Sequence, residues 1–411
     1  MFKRFSILVW IIIFALIINT FGFISYAQIF EEETGVFEDE GSTIQTINSQ
    51  DEPKSIFELQ SKSVLLMDSA TGQVVFKKNP HEKLPPASVT KIMSILLFME
   101  AIDSGRIKLN EKVSCSEFAA GMGGSQIYLE PGEQMTVDEL MKAVVVASGN
   151  DATTALAEHI YGSQENFVSL MNEKAKQLGM KDTNFVNPTG LDADGHLTTA
   201  YDIALMSREL INKHPTIHKY MSIWMDTVRN GEFGLANTNK LVRFYRGCDG
   251  LKTGSTSKAM FCVSETAVRN GLRLIAVIMA APSSKVRFAE ASKLLDHGFA
   301  NYSSVLVGKK GDVYGTVKVA KGLKSELDCI VPEDKKLLVK KGEEKTAERI
   351  VSLNGTIQAP VKKGQKIGEI VIKTKDKTIG KIDLVASESI DKVNFFNIYS
   401  SLVANWYTVG R

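Results

Sequence analysis

Gly250-Leu251-Lys252-Thr253, Ala259-Met260-Phe261-Cys262-Val263-Ser264 and Arg273-Leu274-Ile275-Ala276-Val277-Ile278 are three strand-like runs in succession, joined by turn residues that include Arg269-Asn270-Gly271. They decide the fold because the chain before them has a different period. Pro85-Pro86-Ala87-Ser88 leads into Val89 to Ala101, where Ile92, Ile95, Leu96 and Met99 keep helical spacing, with the Pro pair ending an extended segment and Ser88 opening the helix. Two apolar helical runs between Val137 and Tyr161 are interrupted at Ser148-Gly149-Asn150-Asp151, and further helices are predicted over Gln164–Leu178 and Thr199–Ile211. Upstream, Ser63–Asp68 and Gln73–Phe76 flank Ala70-Thr71-Gly72 as a hairpin. Strands, then helices, then strands predict an α+β domain with one antiparallel sheet flanked by helices, closed by a last helix over Lys285–Phe299. Residues 301–390 change texture to short Val/Ile-rich runs, such as Lys336–Val339 and Lys366–Ile372, separated by Gly and Lys pairs. They read as a small all-β domain.

The chain has 411 residues, enough for two or three domains at roughly 100–200 residues each. Its 49 Lys and Arg against 47 Asp and Glu give +2, without the strong basic excess that a nucleic-acid binder carries. That total hides opposed segments. Residues 1–27 carry +2; residues 28–53 hold eight acids and no base; residues 54–300 hold 27 bases and 26 acids, a net +1; residues 301–411 hold 20 bases and 13 acids, a net +7. The basic excess sits in the C-terminal quarter.

Lys3 and Arg4 precede an apolar run from about Phe5 to Ile24, and Ser25-Tyr26-Ala27 has the small-x-small pattern of a cleavage site. Residues 1–27 are therefore predicted to be a signal peptide; the alternative is an uncleaved N-terminal anchor, since the apolar run approaches the ~20 residues needed to span a bilayer. Either way the body is exported and the basic end stays in the cytoplasm. Residues 28–53, acidic and aperiodic, read as a disordered linker before a domain over 54–300. The four cysteines, Cys115, Cys248, Cys262 and Cys329, are too few for a disulfide scaffold and form no C-x-x-C pair. Buried thiols are expected, although Cys248 and Cys262 flank a hairpin symmetrically and could pair across it.

Three short motifs occur in order: Ser88-Val89-Thr90-Lys91, Ser148-Gly149-Asn150 and Lys252-Thr253-Gly254. Each alone has an ordinary structural explanation. Ser88 could be an N-cap, Ser148 and Asn150 a capped interhelical loop, and Lys252 a solvated lysine on an edge strand. Chance also supplies such strings, since Ser255-Thr256-Ser257-Lys258 matches S-x-x-K and Ser352-Leu353-Asn354 matches S-x-N. Context separates them. Ser88 opens an apolar helix on which Lys91 shares its face, whereas Ser255 lies in a polar turn. A serine hydroxyl needs a base, and a lysine serves only when burial or a second cation lowers its pKa, a part Lys252 could fill if brought near.

With their flanks, Pro86-Ala87-Ser88-Val89-Thr90-Lys91, Ser148-Gly149-Asn150-Asp151-Ala152, Asn187-Pro188-Thr189-Gly190-Leu191 and Asp249-Gly250-Leu251-Lys252-Thr253-Gly254, these motifs resemble the penicillin-recognising active-site-serine enzymes. Among these the chain looks like the D-alanyl-D-alanine carboxypeptidases, the low-molecular-mass penicillin-binding proteins, from about residue 55 to its end. The resemblance implies a β-lactamase/transpeptidase-like fold and a peptidoglycan pentapeptide ending in D-Ala-D-Ala as substrate, with covalent inhibition by β-lactam antibiotics and no cofactor or metal. It also implies roles: Ser88 as nucleophile, Lys91 as general base, Ser148 as proton relay, and Asn150 as the group holding Lys91 and the substrate. Lys252, Thr253 and Gly254 would bind the substrate, whose free carboxylate suits Lys252 and Thr253. The backbone N–H groups of Ser88 and Ser255 would form the oxyanion hole. Two departures stand out: Ser255 replaces an aromatic or His, and Lys258-Ala259-Met260 lacks a common glycine.

A class A β-lactamase would need a Glu-x-x-Leu-Asn loop, absent from 151–251, and a non-catalytic penicillin-binding scaffold would acylate without turnover. His214 and His218 have H-x-x-x-H spacing, but Pro215 and the lack of a third ligand argue against zinc. In the tail, residues 391–411, Val393, Phe395, Phe396, Ile398, Tyr399, Leu402, Val403, Trp406 and Tyr407 fall on one helical face. An amphipathic helix lying on the outer face of the cytoplasmic membrane is expected, with packing on the β domain as the alternative.

Overall fold

The computed structural model describes residues 57–344, 348–374 and 377–395. The expected leader, the acidic linker and most of the amphipathic tail lie outside these residues. The chain opens with the hairpin β1 (Ser63–Asp68) and β2 (Val74–Lys78), then passes through a short 3-10 turn, Ala87–Thr90, into α1 (Lys91–Asp103). In α1 the side chains of Ile92, Met93, Ile95, Leu96, Phe98 and Met99 are all 2% exposed or less, so the helix is surrounded on every side. Around it pack α2 (Asn150–Tyr161), α3 (Gln164–Gln177) and α4 (Ala200–Lys213), with Phe98 stacked on Phe167 at 5.2 Å. The helices start where capping side chains allow: Ser163 accepts from Asn166 N, and Thr199 from Asp202 N.

The strands β3 (Cys248–Thr256), β4 (Met260–Arg269) and β5 (Leu272–Ala281) then join the opening hairpin in one antiparallel sheet, in the order β2-β1-β5-β4-β3. Asn270 and Gly271, both with positive φ, make the tight turn that returns β4 onto β5. β1 and β5 are apolar and almost wholly buried because both sheet faces are covered: α5 (Ser284–Asn301) and α4 both pack on β5. This is the predicted α+β arrangement. Two small two-stranded sheets, 112–114 with 134–136 and 225–228 with 233–236, were not predicted, since three- and four-residue strands carry too little alternation to read.

The cross-hairpin disulfide does not form. The register sets Cys248 opposite Ala267 and Cys262 opposite Gly254, and all four cysteines are free. Thr256 pairs with Met260, which centres the turn on Lys258, so Cys248 lies ten residues from the centre and Cys262 four, and the two do not face each other.

After α5 come β6 (Tyr302–Gly308), β7 (Val313–Ala320), β8 (Glu326–Ile330), β9 (Lys335–Lys340), β10 (Glu348–Leu353), β11 (Thr356–Gln358), β12 (Lys366–Thr374) and β13 (Lys377–Ala386). β6 pairs with β9, and the rest form a six-stranded sheet ordered β10-β12-β13-β8-β7-β11. Val317, Leu327, Cys329, Ile367, Ile370, Ile382 and Leu384 are its separate core. The tail leaves along this domain: Lys392 bridges to Gly322 and Val393 N donates to Lys321 O at 2.9 Å. The expected helix thus does not begin at 391, because backbone pairing takes those first residues. Among the described residues no helix is long and apolar enough to cross a membrane.

Candidate active site

Ser88 does not cap α1. It sits inside the 3-10 turn, and neither Pro86 before that turn nor Thr90 before α1 makes a side-chain cap. In 3-10 geometry side chains three apart eclipse, which lays Lys91 over Ser88. The turn is gripped between two backbones. A β-carbon on Gly190, whose φ is +87°, would fall 1.9 Å from Ala87 O, and one on Gly254 would fall 2.7 Å from Ser88 N. Only glycine permits either approach. Ala87 itself holds φ +49°, a strained value next to a half-buried, accessible Ser88.

Lys91 is fully buried, yet its Nζ has three neighbours: Ser88 Oγ at 3.1 Å, Asn150 Oδ1 at 2.6 Å and Thr189 O at 2.7 Å. The two amide-type oxygens can only accept. A neutral amine has two N–H groups and one lone pair, so satisfying both oxygens leaves the lone pair for the Ser88 hydroxyl. Burial, followed by the Lys252 cation, drives the Lys91 pKa well below the usual lysine value, against a smaller opposing pull from Asp151. The arrangement can therefore take a proton from Ser88.

Asn150 is held from the far side: its Nδ2 donates to Gly123 O at 2.6 Å and its N to Ser125 O at 2.7 Å. Asp151 fastens the same loop by accepting from Ile127 N at 3.0 Å and Leu129 N at 3.1 Å. Just before α2, a π-helical segment Ala143–Ala147 runs into Ser148, which has φ +63° and is 3% exposed. Its Oγ is buried with no hydrogen-bond partner among the described residues. An orphaned hydroxyl on strained backbone is costly and marks a site awaiting a ligand.

Lys252 lies on an edge strand, as one reading had it, but it is not solvated: it is 1% exposed and donates to Thr253 O at 3.0 Å. Burial, then the Arg287 cation, lowers its pKa to about 7. Arg287 is itself buried behind the strand and donates to Gly254 O at 3.2 Å and Cys262 O at 3.1 Å. The two enclosed amines are both pulled below the ordinary lysine range, Lys91 by burial and then Lys252, and Lys252 by burial and then Arg287. Thr253 Oγ1 donates to Thr238 Oγ1 at 2.7 Å, and Ser255 is exposed one residue beyond Gly254.

The chance matches fall elsewhere. Ser255, Ser257 and Lys258 are exposed at the β3–β4 turn, and Ser352-Leu353-Asn354 ends β10 in the second sheet. His214 and His218 face different carboxylates, Asp103 and Asp249. Residues whose part the sequence did not disclose include Thr189, which contributes a main-chain carbonyl, and Thr238, Arg287 and Asp151. Of these, Thr189 within Asn187-Pro188-Thr189-Gly190-Leu191 and Asp151 within Ser148-Gly149-Asn150-Asp151-Ala152 carried a signal, in each case a resemblance without a role.

Residues 46–283 match the D-alanyl-D-alanine carboxypeptidase family, and residues 302–392 match the C-terminal domain of penicillin-binding protein 5. The D-alanyl-D-alanine carboxypeptidase DacF of Bacillus subtilis is 42% identical over 351 residues, covering 84% of this chain and 90% of the relative. The crystal structure of penicillin-binding protein 5 from Haemophilus influenzae superposes with a TM-score of 0.74 at 32% identity, over 82% of this chain and 99% of that one. Penicillin-binding protein D2 from Listeria monocytogenes in its ampicillin-bound form superposes with a TM-score of 0.55 at 32% identity, over 59% of this chain and 99% of that one. These matches do not favour a β-lactamase. Sequence motifs, sheet order and family matches agree that the chain belongs to the D-alanyl-D-alanine carboxypeptidase family, the low-molecular-mass penicillin-binding proteins, and is a serine carboxypeptidase of that type.

Proposed function

We propose that the protein removes the terminal D-Ala from peptidoglycan pentapeptides through an acyl ester on Ser88. The observation that carries this reading is the Lys91 amine, buried and committed to Asn150 and Thr189 O with Ser88 Oγ 3.1 Å away. Lys91 takes the Ser88 proton as Oγ attacks the penultimate D-Ala carbonyl carbon. The oxyanion is received by the N–H groups of Ser88 and Ser255, each worth about 3 kcal/mol at the transition state. The proton passes from Lys91 by way of Ser148 to the leaving amine; the C–N bond breaks, D-Ala departs, and water then cleaves the ester. Asn150 holds Lys91 and the substrate backbone. Lys252 and Thr253 take the terminal carboxylate, and Gly254 lets the substrate-binding strand run against the Ser88 turn.

A β-lactam would acylate Ser88 in the same way, but its amine stays tethered after ring opening and obstructs the water, so the ester persists. The test is release of D-Ala from a pentapeptide ending in D-Ala-D-Ala, with Ser88→Ala as control. The variant should lose both release and covalent labelling by a fluorescent penicillin. Labelling that survives in the variant refutes Ser88 as nucleophile, and labelling of the wild type without D-Ala release would mark a receptor instead of an enzyme.

The domain limits follow the same reading: a signal peptide over 1–27, a linker over 28–53, the catalytic domain over 54–300, the β domain over 301–390 and a membrane-association tail over 391–411. Export is supported by the apolar leader, and peripheral attachment to the outer face of the cytoplasmic membrane by the aromatic stripe of the tail with the +7 of residues 301–411. Deleting 392–411 should shift the protein from the membrane to the soluble fraction; an unchanged distribution counts against the tail as anchor.

A further inference from the structure

Glu265 takes no part in the reaction above, yet it lies on β4 beside the strand that carries Lys252 and Thr253, and its side chain is completely buried. Its neighbour Ser264 faces α4 through Ser207, with the two Oγ atoms 2.8 Å apart, so strand alternation turns Glu265 to the opposite face. There Oε2 accepts from Asn239 Nδ2 at 2.7 Å and from Cys248 Sγ at 3.4 Å, while Oε1 has no partner among the described residues. Burial raises its pKa to about 8, leaving the carboxyl protonated at neutral pH. A buried acid with an orphaned oxygen is destabilising by itself, and an apolar residue would pack there at less cost.

What the carboxyl holds is the segment 237–241. Asn239 N donates to Asn237 Oδ1 at 2.8 Å, Leu241 N donates to Asn239 Oδ1 at 3.0 Å, and Asn237 Nδ2 donates to Ile223 O at 2.7 Å. Between the two asparagines stands Thr238, exposed, its N donating to Val146 O at 3.2 Å and its Oγ1 accepting from Thr253 Oγ1 at 2.7 Å. The only Thr253 hydroxyl proton points at Thr238, so it can meet a carboxylate only when the pair reverses, Thr238 Oγ1 then donating to Thr253 Oγ1 while the Thr253 proton turns to the ligand. Thr238 is thus the partner that sets the direction of the Thr253 hydroxyl, its place is set by Asn239, and the Asn239 amide is oriented by Glu265. Asn239 Oδ1 is already taken by Leu241 N, so the Nδ2 group requires an acceptor at the position Glu265 occupies.

We propose that Glu265, acting through Asn239 and Thr238, is a positioning residue that orients the Thr253 hydroxyl and so sets the preference for substrates with a free terminal carboxylate. This rests on Lys252 and Thr253 as the carboxylate site.

The experiment compares a peptide ending in free D-Ala-D-Ala with the same peptide amidated at its C-terminus. Glu265→Leu, which removes the acceptor, should raise KM for the free acid about tenfold with a smaller change in kcat, and leave kcat/KM on the amide unchanged. Glu265→Gln, which keeps a carbonyl acceptor for Asn239, should behave as wild type. Thr238→Val, at an exposed position, should reproduce the KM effect. In a Thr253→Val background Glu265→Leu should add nothing. Equal losses on both peptides, failure of Gln to rescue, a silent Thr238→Val, or an undiminished effect in the Thr253→Val background each overturn the proposal. If Thr253→Val itself does not discriminate the two peptides, the carboxylate site is misassigned and the proposal falls with it.

Discussion

Gly190 presses on Ala87 so closely that a β-carbon would stand 1.9 Å from the Ala87 carbonyl oxygen. The two residues are 103 positions apart, and the contact wedges the loop that supplies Thr189 O against the turn that carries Ser88. Gly190→Ala must displace one of them. It would also force a side chain onto a backbone with φ +87°. A loss of at least about 2 kcal/mol of stability is expected. Acylation by a fluorescent penicillin should slow by more than tenfold, because the Lys91–Ser88 spacing depends on that loop. Labelling at the wild-type rate would show that the wedge has no bearing on the nucleophile.

The two buried lysines predict the pH profile. In the proposed mechanism Lys91 works as the neutral amine, so activity should fall on the acid side as it gains a proton, and its depressed pKa keeps this limb below the ordinary lysine range. In the same proposal Lys252 binds the carboxylate as the cation, so kcat/KM should fall as pH rises through about 7 in the free enzyme. A bound carboxylate favours the charged form, which moves the alkaline limb of kcat to higher pH than that of kcat/KM. Steady-state rates from pH 5 to 10 on a D-Ala-D-Ala peptide measure both limbs, and coincident alkaline limbs would remove Lys252 as carboxylate partner.

His196 ties the Thr189 loop to the helix that carries Lys91. Its Nδ1 accepts from Val186 N at 2.9 Å, so the ring proton is on Nε2 and donates to Thr90 Oγ1 at 2.8 Å. A second proton has no acceptor, and burial lowers the pKa from 6.5 to about 4. The unfolded chain thus binds a proton that the folded protein refuses, and the stability present above pH 6.5 is lost as pH falls toward 4, by up to about 3 kcal/mol. Urea unfolding at pH 7 and 4.5 should show a larger loss for wild type than for His196→Gln; equal losses would mean that His196 does not titrate this way.

Much of the fold was legible because period is local. The apolar spacing of Ile92, Ile95, Leu96 and Met99 identifies a buried helix without reference to its surroundings, and Asn270-Gly271 identifies a tight turn. Where the sequence misled, the cause was nonlocal. A turn midway between Cys248 and Cys262 would let them face each other, but the strands pair so that the turn is centred on Lys258 and Cys262 faces Gly254. Ser88 reads as an N-cap by residue type, but contacts with Gly190 and Gly254 hold it in a 3-10 turn instead.

By itself the sequence determined the order of the elements, the three motifs and their spacing, since these are properties of neighbouring residues and of side-chain types. Tertiary structure alone decided the protonation of Lys91 and Lys252. Both are lysines with an ordinary intrinsic pKa, and what lowers it is the loss of water together with a nearby cation, Lys252 for Lys91 and Arg287 for Lys252. The third-dimensional partners of the amine, Asn150 Oδ1 and Thr189 O, come from 59 and 98 residues away, one of them a main-chain carbonyl that every residue possesses. No spacing can encode a carbonyl common to all residues; only folding selects which one the amine meets.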